Sequence, residues 1–326
     1  MQRPHIPAEW APHRAIWTAW PYRADQWAEG LAAPRAEIAA MAAALVEGER
    51  VHVLVRDEAV EADARRALSP EVELIRADYG DVWLRDIGPI FAGEGAAHGF
   101  RVNGWGGKYD MAGDASVAAF VAARAGAALQ RHDFVLEGGA VDMDGEGSLL
   151  TTRQCMLNPN RNPGWTEADA EAALKGALGV RKVLWLDEGL TNDHTDGHID
   201  NIARFVGPGR VVCQAPVRGD PNANALDAIA RALEAMRDAH GRRLEVVRAP
   251  SPGEVRDDAG EIMPASHMNF IIGNAVVVAP VYNEMGEAAV DALAPLFPGR
   301  RVIGLSARAL LVGGGAFHCI TQQELA

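Results

Sequence analysis

Apolar positions along this chain switch several times between the alternation of β-strands and the spacing of amphipathic helices. In 201–217, two short β-branched runs lie on either side of a Gly-Pro-Gly turn, which predicts a hairpin. The next segment repeats apolar residues at i, i+3 and i+4, which predicts a helix with a stripe formed by Leu226, Ile229, Ala230, Leu233 and Met236. Gly241 stands where a C-terminal cap is expected. The strand-like run 244–247 completes a strand, strand, helix, strand unit.

The same order of elements recurs twice more with clear signals. The segments are hairpins at 140–157 and 268–282, helices that begin at Thr166 and near 284, and strands at 182–186 and 300–305. Thr166 followed by Asp169 resembles a capping box, which supports the helix start. The chain is therefore built from repeated units of about the same design.

Two further units show the same order of elements less clearly. One lies within 88–139. The other has its helix and last strand within 34–55, but its hairpin pairs 15–20 with a strand near Cys319, at the other end of the chain. A hairpin shared between the two ends of the chain would close the units into a ring. Because repeats are a primary clue to architecture, we predict one α/β domain over 1–326, with five ββαβ units arranged in a circle.

Unusual polar residues fall at the junctions between these units, where loops at strand ends often carry function. They are Asp86 in DYGDVWLRDIGP, Glu137 in LEGGAVD, His198 and Asp200 in DHTDGHIDN, His267 and Asn269 in ASHMNF, and Cys319 in GGGAFHC. Units that surround an axis bring equivalent positions to one centre. We therefore expect these residues to lie close together although they are far apart in sequence.

Composition and charge narrow the classes of function. The 326 residues are 48% hydrophobic and 23% charged, as in a globular protein, and 44 acidic against 31 basic residues give a net charge of −13. This excess argues against a nucleic-acid-binding protein and agrees with a cationic ligand. No stretch approaches the roughly 18 apolar residues of a membrane helix, and the N-terminus lacks the apolar stretch of a signal peptide. We predict a cytoplasmic protein that does not bind membranes.

The cysteines have to be judged one at a time. Three widely spaced cysteines without a CxxC pair indicate neither a disulfide framework nor a zinc ribbon. Cys155 and Cys213 lie in apolar runs typical of small buried residues. A cysteine beside glycines, such as Cys319, is also more often structural than reactive. His318 is interpreted as a mere neighbour, because adjacent side chains on a strand point to opposite faces.

As a set, the junction residues suggest a chemistry that none of them indicates alone. A cysteine, a histidine and three carboxylates suggest a thiolate nucleophile, a proton-transfer group and a site for a positive charge. The rival interpretation is a divalent metal bound by His194, His198 and Asp200. A glycine precedes His198 and a strand-like run follows it, unlike the helix of an HExxH site, so we predict no metal.

Six motifs follow one another along nearly the whole chain: WLRDIGP, NGWGGKYD, LEGGAVDMDGEGSLLTT, LNPNRNP, DGHIDN and GGGAFHCITQQ. Together they closely resemble the agmatine deiminase family, which is grouped with the bacterial-type peptidylarginine deiminases in the guanidine-modifying, or pentein, superfamily. The resemblance implies a five-bladed α/β propeller of ββαβ units. It also implies hydrolysis of a guanidinium group with release of ammonia and without a cofactor. Agmatine would give N-carbamoylputrescine, an intermediate on a route to putrescine.

The resemblance also assigns roles to the junction residues. It implies that Cys319 is the nucleophile, that His198 is the general acid and base, and that Glu137 orients His198. Asp86 and Asp200 resemble the carboxylates that grip the guanidinium. Planar carboxylates bind guanidinium N–H groups bidentately, which orients the carbon for attack. Because the thiolate is the attacking form, a bound cation and a protonated imidazole both assist it.

Further substrate contacts are expected around this centre. The Trp83 indole can cover an aliphatic or cationic ligand, and Gly314 and Gly315 let the backbone approach the substrate. The resemblance places an acidic residue for the distal amine shortly before GHID, where the nearest candidate is Asp193, one methylene shorter than the expected glutamate. The chain departs from the family pattern at three more positions, His194, His267 and Ala316.

Several alternatives to agmatine hydrolysis stay open at the level of sequence. They are deimination of arginine or of arginyl peptides, metal-dependent hydrolysis, amidino transfer to an amine, and ligand binding without catalysis. The apolar helix faces either pack within the propeller or form a homodimer, and the sequence does not separate these cases.

Overall fold

The computed structural model describes residues 6–27, 30–93, 95–109 and 111–326. Within these ranges the strands are β1 (His13–Ala19), β2 (Arg50–Val55), β3 (Glu73–Arg76), β4 (Ile90–Ala92), β5 (Ala96–Arg101), β6 (Ala128–Val135), β7 (Asp142–Met143), β8 (Ser148–Thr152), β9 (Lys182–Leu186), β10 (Ala203–Gly207), β11 (Arg210–Ala215), β12 (Glu245–Pro250), β13 (Ile271–Ile272), β14 (Val276–Val281), β15 (Arg301–Ser306) and β16 (Gln322–Leu325). The α-helices are α1 (Ala32–Leu45), α2 (Glu58–Ala67), α3 (Leu84–Ile87), α4 (Gly104–Gly107), α5 (Asp114–Arg124), α6 (Arg153–Met156), α7 (Glu167–Leu178), α8 (Ala223–Ala235), α9 (Met285–Leu293) and α10 (Arg308–Val312). Short 3-10 helices lie at Ala24–Gln26, Gly138–Ala140, Ile199–Asn201 and Ala294–Leu296.

The described strands form five sheets that share one pattern of pairing. In four of them the first strand pairs antiparallel with the second, and the second pairs parallel with the third; these are β4-β5-β6, β7-β8-β9, β10-β11-β12 and β13-β14-β15. The remaining sheet has the order β16-β1-β2-β3. Its antiparallel pair joins β16 to β1, with Trp17 opposite Gln322. The predicted hairpin shared between the two ends of the chain is thus confirmed, in a mixed α/β fold.

Helix α7 shows how local sequence signals set the ends of the elements. The Thr166 side chain accepts the Asp169 backbone N–H, and the Asp169 side chain accepts the Thr166 N–H, so the predicted capping box is confirmed. The helix ends at Gly179, which has φ of 69°. This left-handed conformation is one that glycine adopts without steric cost.

Helix α8 has the predicted buried stripe but a different end. Four of its apolar positions are buried: Leu226, Ile229, Ala230 and Leu233. The helix ends at Ala235, before the expected cap at Gly241. Asp238 accepts hydrogen bonds from the backbone N–H groups of His240 and Arg242, both at 2.9 Å. These side-chain bonds give the backbone an alternative to another helical turn.

Apolar packing fixes the strands whose ends carry the polar residues of interest. In the first sheet, Ile38 and Met41 of α1 belong to the same fully buried cluster as Val53 and Leu54 of β2. Burying one such side chain stabilises the fold by about 1.5–3 kcal/mol. Among the described residues, no helix combines the length and the apolar character needed to cross a membrane.

Candidate active site

Cys319 lies in the turn between α10 and β16, and only 4% of it is exposed. Asn269 holds it from two sides: its Nδ2 lies 3.0 Å from Cys319 Sγ, and its Oδ1 accepts the Cys319 backbone N–H at 3.2 Å. The thiol is 3.6 Å from Asp200 Oδ2. Burial, and then the charges of Asp200 and Asp86, raise the pKa of this thiol well above its ordinary value. Without a cation beside them, the surrounding carboxylates favour the uncharged thiol.

The glycines before Cys319 lack side chains that would clash with residues of the centre. A Cβ at Gly315 would lie 2.8 Å from the Trp83 ring and 2.9 Å from Cys319 Cβ, which is too close for any other residue. Gly314 has φ of +111°, a conformation that other residues rarely adopt. The predicted close approach of the backbone is therefore present between the glycines and the site residues. Contact of Gly314 and Gly315 with a substrate stays a prediction.

Asp86 lies on α3 and is oriented by two donors. The indole N–H of Trp105 donates to Asp86 Oδ2 at 2.8 Å, and the Gly139 backbone N–H donates to Oδ1 at 2.8 Å. Burial raises the pKa of Asp86; the nearby His198 opposes this, and Asp200 adds to it. The carboxylate is thus fixed in place, and its negative charge is poorly compensated. This favours the binding of a cation beside it.

His198 lies at the start of the Ile199–Asn201 turn and is fully buried. Its Nε2 is 3.7 Å from Glu137 Oε2, and its Nδ1 is 3.8 Å from Asp86 Oδ2; both distances are longer than a hydrogen bond. Burial alone would lower the pKa of His198, but the charge of Asp86 and the contacts with Cys155 and Glu137 raise it well above its ordinary value. The ring therefore carries a positive charge between two carboxylates.

Glu137 is supported from the side opposite His198. Arg161 Nε donates to Glu137 Oε1 at 2.8 Å, and Arg161 Nη2 donates to the Thr195 carbonyl at 3.0 Å. Although burial opposes it, His198 and Arg161 lower the pKa of Glu137. Arg161 therefore keeps Glu137 ionised, and sequence reasoning did not find this arginine. Its position within the LNPNRNP motif was the available signal.

Asp200 is held by a buried histidine that the sequence did not implicate. His318 Nδ1 lies 2.7 Å from Asp200 Oδ2, and His318 Nε2 lies 2.9 Å from Glu9 Oε2. Glu9 also pairs with Arg204, whose Nη2 is 2.5 Å from the same oxygen. Although burial opposes it, the His318 hydrogen bond lowers the pKa of Asp200. A chain of buried contacts thus runs from Glu9 through His318 and Asp200 to the thiol.

The interpretation of His318 as a mere neighbour was wrong, because it assumed a strand. Residues 317–320 form a turn, in which the Ile320 N–H bonds to the Ala316 carbonyl and the Thr321 N–H to the His318 carbonyl. The alternation of strand side chains does not apply in a turn. The side chains of His318 and Cys319 consequently both reach Asp200.

Asp86, Glu137, His198, Asp200, Asn269 and Cys319 are brought together as expected, whereas His267 is not. A Cβ placed on Gly139 would lie 2.6 Å from His198 Nδ1, 2.9 Å from Asp200 Oδ2 and 3.0 Å from Asp86 Oδ1, so these three side chains meet around one point. Cys319 adjoins Asp200. The arrangement offers a thiol, a protonated imidazole and carboxylates within one buried cluster.

A cavity of about 320 Å³ leads to this cluster. Its lining consists of Asp25, Gln26, Trp27, Asp81, Trp83, Asp86, Trp105, Tyr109, Met111, His194, Thr195, Val312, Gly313, Gly314 and Cys319. Burial raises the pKa of Asp81 to about 7; a hydrogen bond from the Val82 N–H opposes the shift and the charge of Asp114 adds to it. Within the described residues, the lining contains three carboxylates and no lysine or arginine.

Asp193 does not line this cavity. Its Oδ1 accepts the N–H and the hydroxyl of Thr195, and its Oδ2 accepts Asn201 Nδ2 at 3.2 Å. The carboxylate is thus occupied with shaping the loop before His198. His267 is also away from the cavity, because its Nδ1 bonds to the Pro250 carbonyl and its ring stacks on Tyr282.

The rival metal site is not assembled. His194 lines the cavity, and its Nδ1 is 2.9 Å from the Tyr109 hydroxyl. Over the described part of the chain, the three side chains whose ligand atoms lie within 4.8 Å of one another are Glu137, Cys155 and His198. Cys155 is fully buried within an apolar cluster, as predicted, and its Sγ also lies 3.9 Å from Glu137 Oε2.

The chain is similar to known proteins over nearly its whole length. The family described as Porphyromonas-type peptidyl-arginine deiminase matches residues 5–324. An agmatine deiminase from Ectopseudomonas mendocina is 38% identical over 349 residues, which cover 98% of this chain and 95% of that protein.

Solved structures agree with this similarity. The agmatine deiminase of Enterococcus faecalis has a TM-score of 0.93 and 32% identity, with 98% of this chain and 95% of that chain covered. A C. jejuni agmatine deiminase with substrate bound has a TM-score of 0.90 and 26% identity, with 99% and 96% covered. An amidinotransferase from Microseira wollei, with a TM-score of 0.57 and 11% identity over 98% of this chain and 96% of that chain, shares the fold alone.

Proposed function

The chain belongs to the Porphyromonas-type peptidyl-arginine deiminase family, and from this membership we propose that it hydrolyses agmatine to N-carbamoylputrescine and ammonia. The observation that carries the choice of substrate is the cavity beside Cys319, which is lined by Asp25, Asp81 and Asp86 and by no described lysine or arginine. Agmatine has a cationic group at each end and no carboxylate. Arginine would bring its α-carboxylate among like charges, which is unfavourable.

The nearest basic side chains support this choice because they are already paired. Arg23 Nη2 lies 2.7 Å from Asp25 Oδ2. Lys108 Nζ lies 2.7 Å from Asp196 Oδ1 and donates to the His194 carbonyl at 2.7 Å. A substrate carboxylate would have to compete with these partners.

In the proposed complex the guanidinium lies between Asp86 and Asp200. Asp86 is oriented by Trp105 and Gly139, and Asp200 by His318, so both oxygen pairs are fixed before substrate arrives. Such preorganisation lets a planar cation be gripped with its carbon facing Cys319. The cation also offsets the two carboxylates that hold the thiol proton, which makes the reactive thiolate depend on bound substrate.

The proposed reaction has two steps. First, the Cys319 thiol releases its proton to solvent as the cationic substrate binds, and the thiolate forms an S–C bond to the guanidinium carbon. A C–N bond then breaks, and His198 protonates the departing ammonia. The product of this step is a covalent amidino-thioether. Second, His198 takes a proton from water, the resulting oxygen nucleophile attacks the same carbon, and the S–C bond breaks to release the ureido product. Glu137, held by Arg161, keeps His198 oriented in both steps and stabilises its protonated form before the first step and during the second.

For the distal amine we propose Asp81 in place of Asp193. Asp81 is 4% exposed and lines the same cavity as Asp86, whereas both oxygens of Asp193 are bonded within their own loop. Trp83 lines the stretch near Cys319, where its indole can cover the aliphatic part of the substrate. The expected glutamate contact is thus replaced by a carboxylate from another segment.

The architecture and setting that accompany this function are also proposals. The five similarly paired sheets support a five-bladed propeller in a single domain over 1–326, and the β16–β1 pair would close its ring. A cytoplasmic location, a place in putrescine synthesis and a homodimer stay predictions from the sequence.

A ureido-product assay on the purified protein tests the function. Agmatine, free arginine and an arginyl peptide are compared at equal concentration, with Cys319→Ser as the inactive control. We expect turnover with agmatine and little with the other two. Turnover confined to arginine or to the peptide would replace the agmatine proposal with that deiminase activity, and formation of an amidino-amine from an added amine would indicate a transferase.

A further inference from the structure

Glu137, Cys155 and His198 form a compact group with three kinds of metal-ligating atom. Their ligand atoms all lie within 4.8 Å of one another, with Cys155 Sγ 3.9 Å and His198 Nε2 3.7 Å from Glu137 Oε2. Zinc bonds of about 2.3 Å to sulfur and about 2.0–2.2 Å to nitrogen and oxygen put tetrahedral ligand atoms roughly 3.6 Å and 3.4 Å apart. The two distances to Glu137 exceed these values by about 0.3 Å, so side-chain shifts that bring the three ligand atoms closer would complete the coordination.

Hydrogen bonding leaves this group open to an ion. His198 is fully buried, yet neither of its ring nitrogens has a hydrogen-bond partner within the described residues. Arg161 occupies Glu137 Oε1 and leaves Oε2 facing His198 and Cys155. Buried polar nitrogens without partners are rare, and each one calls for an explanation.

We propose that Glu137 Oε2, Cys155 Sγ and His198 Nε2 bind one Zn²⁺ ion, and that this ion switches the enzyme off. Three protein ligands with one open position match a common zinc geometry. Thiolate and imidazole ligands favour Zn²⁺ over Mg²⁺ and Ca²⁺, which prefer oxygen.

The net charge of the buried cluster stays the same when the ion displaces two protons. A Cys155 thiol and a His198 imidazolium each carry one proton that a metal ion would displace. Zinc binding releases both protons, because a metal binds thiolate and neutral imidazole. Two unit charges leave and one divalent ion enters, so the charge next to Asp86 and Arg161 is unchanged.

The ion would act on the proposed reaction through His198. Asp86 lines the cavity, and its Oδ2 lies 3.8 Å from His198 Nδ1, so the site lies directly behind the cavity wall. Nδ1 faces Asp86, and an ion on Nε2 stops the ring from cycling between its doubly and singly protonated forms, which the proposed reaction requires. Zn²⁺ therefore stops the proposed reaction without blocking the Cys319 side of the cavity.

Cobalt(II) titration of full-length, metal-free protein tests binding, in a Cys319→Ser background that removes the cavity thiol. A cobalt–thiolate bond gives a near-ultraviolet charge-transfer absorption. We expect one equivalent of Co²⁺ to produce it, Zn²⁺ to displace the cobalt, and two protons to be released per ion in weakly buffered solution. Absence of the absorption in the folded variant overturns the proposal.

Matched cysteine variants locate the site. Cys155→Ala should abolish the absorption and weaken zinc binding by at least roughly 10- to 100-fold in chelator competition. Cys213→Ala also removes a fully buried thiol, but it should leave both the absorption and the zinc affinity unchanged. If thermal unfolding shows that Cys155→Ala does not fold, Glu137→Gln should weaken zinc binding in the same assay. An unchanged absorption in a folded Cys155→Ala protein, or unchanged zinc affinity in Glu137→Gln, contradicts the assignment.

The switching effect rests on the proposed function and is tested separately. With Cys319 intact, Zn²⁺ at concentrations that fill the site should abolish agmatine turnover, and a chelator should restore it. Agmatine turnover that persists with the site filled overturns the switch. Absorption and proton release need no turnover, so a protein inactive on agmatine would still report on the metal site.

Discussion

A single residue outside the predicted centre, His318, sets the state of Asp200. Both of its ring nitrogens face carboxylate oxygens, at 2.7 Å on Asp200 and 2.9 Å on Glu9. His318 is therefore a positioning residue, which keeps Asp200 ionised and directed at the thiol without touching the substrate itself.

We expect His318→Asn to lower kcat/KM by about 10²-fold, because a carboxylate misplaced by about 1 Å costs roughly that much. His318 lowers the pKa of Asp200, so its removal should raise that pKa and move the acid limb of the kcat/KM profile to higher pH. A pH series with agmatine measures both effects. His240→Asn on the surface is the control, and an unmoved acid limb would show that His318 only fills space.

Asp81 is the residue on which the substrate proposal depends. Asp81→Asn should raise KM for agmatine by at least about tenfold with a smaller change in kcat, because a charge-assisted hydrogen bond contributes about 1.5–3 kcal/mol. Initial rates measure this, with Asp187→Asn as an exposed control. Equal KM values for the two variants would remove Asp81 from the binding site.

The same variant carries a pH signature. Burial raises the pKa of Asp81 to about 7, with opposition from the Val82 N–H and from Arg23 and reinforcement from Asp114. Below that pH the carboxyl is protonated and holds an ammonium poorly, so the wild-type KM should rise as the pH falls through 7. Asp81→Asn should lose this dependence. A KM that varies with pH in the same way in both proteins would assign the effect to another group.

At the scale of elements, a short 3-10 turn decides whether the centre can form. Gly139 in the Gly138–Ala140 turn donates its N–H to Asp86 and leaves no space for a Cβ between His198 and Asp200. The turn therefore packs its backbone directly against the reacting groups.

Gly139→Ala should reduce kcat/KM by about 10²-fold, since the added methyl displaces side chains that must hold their geometry. Gly176→Ala in α7 is the matched control: its Cβ would meet nothing within 4 Å. It should leave activity unchanged and raise the free energy of unfolding by about 0.5–1 kcal/mol. Steady-state kinetics and denaturant unfolding measure the pair. Full activity in Gly139→Ala would contradict the described packing.

Sequence patterns predicted the elements better than the turns between them. The order of elements within the five predicted units and the α7 capping box followed from periodicity and local caps, which depend on near neighbours, whereas α2 and β3 were not predicted. The end of α8 and the turn at 317–320 did not, because side-chain bonds from Asp238 and a non-strand backbone decided them. Glu9 and Arg161 were missed since their roles depend on contacts across the fold, which no local pattern records.

At the scale of the whole molecule, one sheet ties the two ends of the described chain together. The Trp17 indole N–H donates to Glu324 Oε2 at 2.9 Å, between residues 307 positions apart, within the pair of β1 and β16. Both residues are buried, at 1% and 8% exposed.

Glu324→Ala should lower the free energy of unfolding by about 1–3 kcal/mol, because it leaves a buried indole N–H unpaired. Glu324→Gln keeps an acceptor and should recover most of the loss. Glu245→Ala, which breaks an exposed pair with Arg210, should cost less than about 1 kcal/mol. Urea unfolding compares the three variants. Equal losses for Glu324→Ala and Glu245→Ala would show that the buried bond adds nothing to closure.

The place of Cys319 in the chain orders events during synthesis. The ribosome adds the thiol 119 residues after Asp200, which at 5–20 residues per second is a delay of roughly 6–24 s. Throughout that interval β1 lacks β16, and an unpaired strand edge is open to pairing with other chains. The nascent protein therefore holds its carboxylates and imidazole without a nucleophile. The late arrival of β16 covers the exposed edge at nearly the same moment that the thiol is delivered.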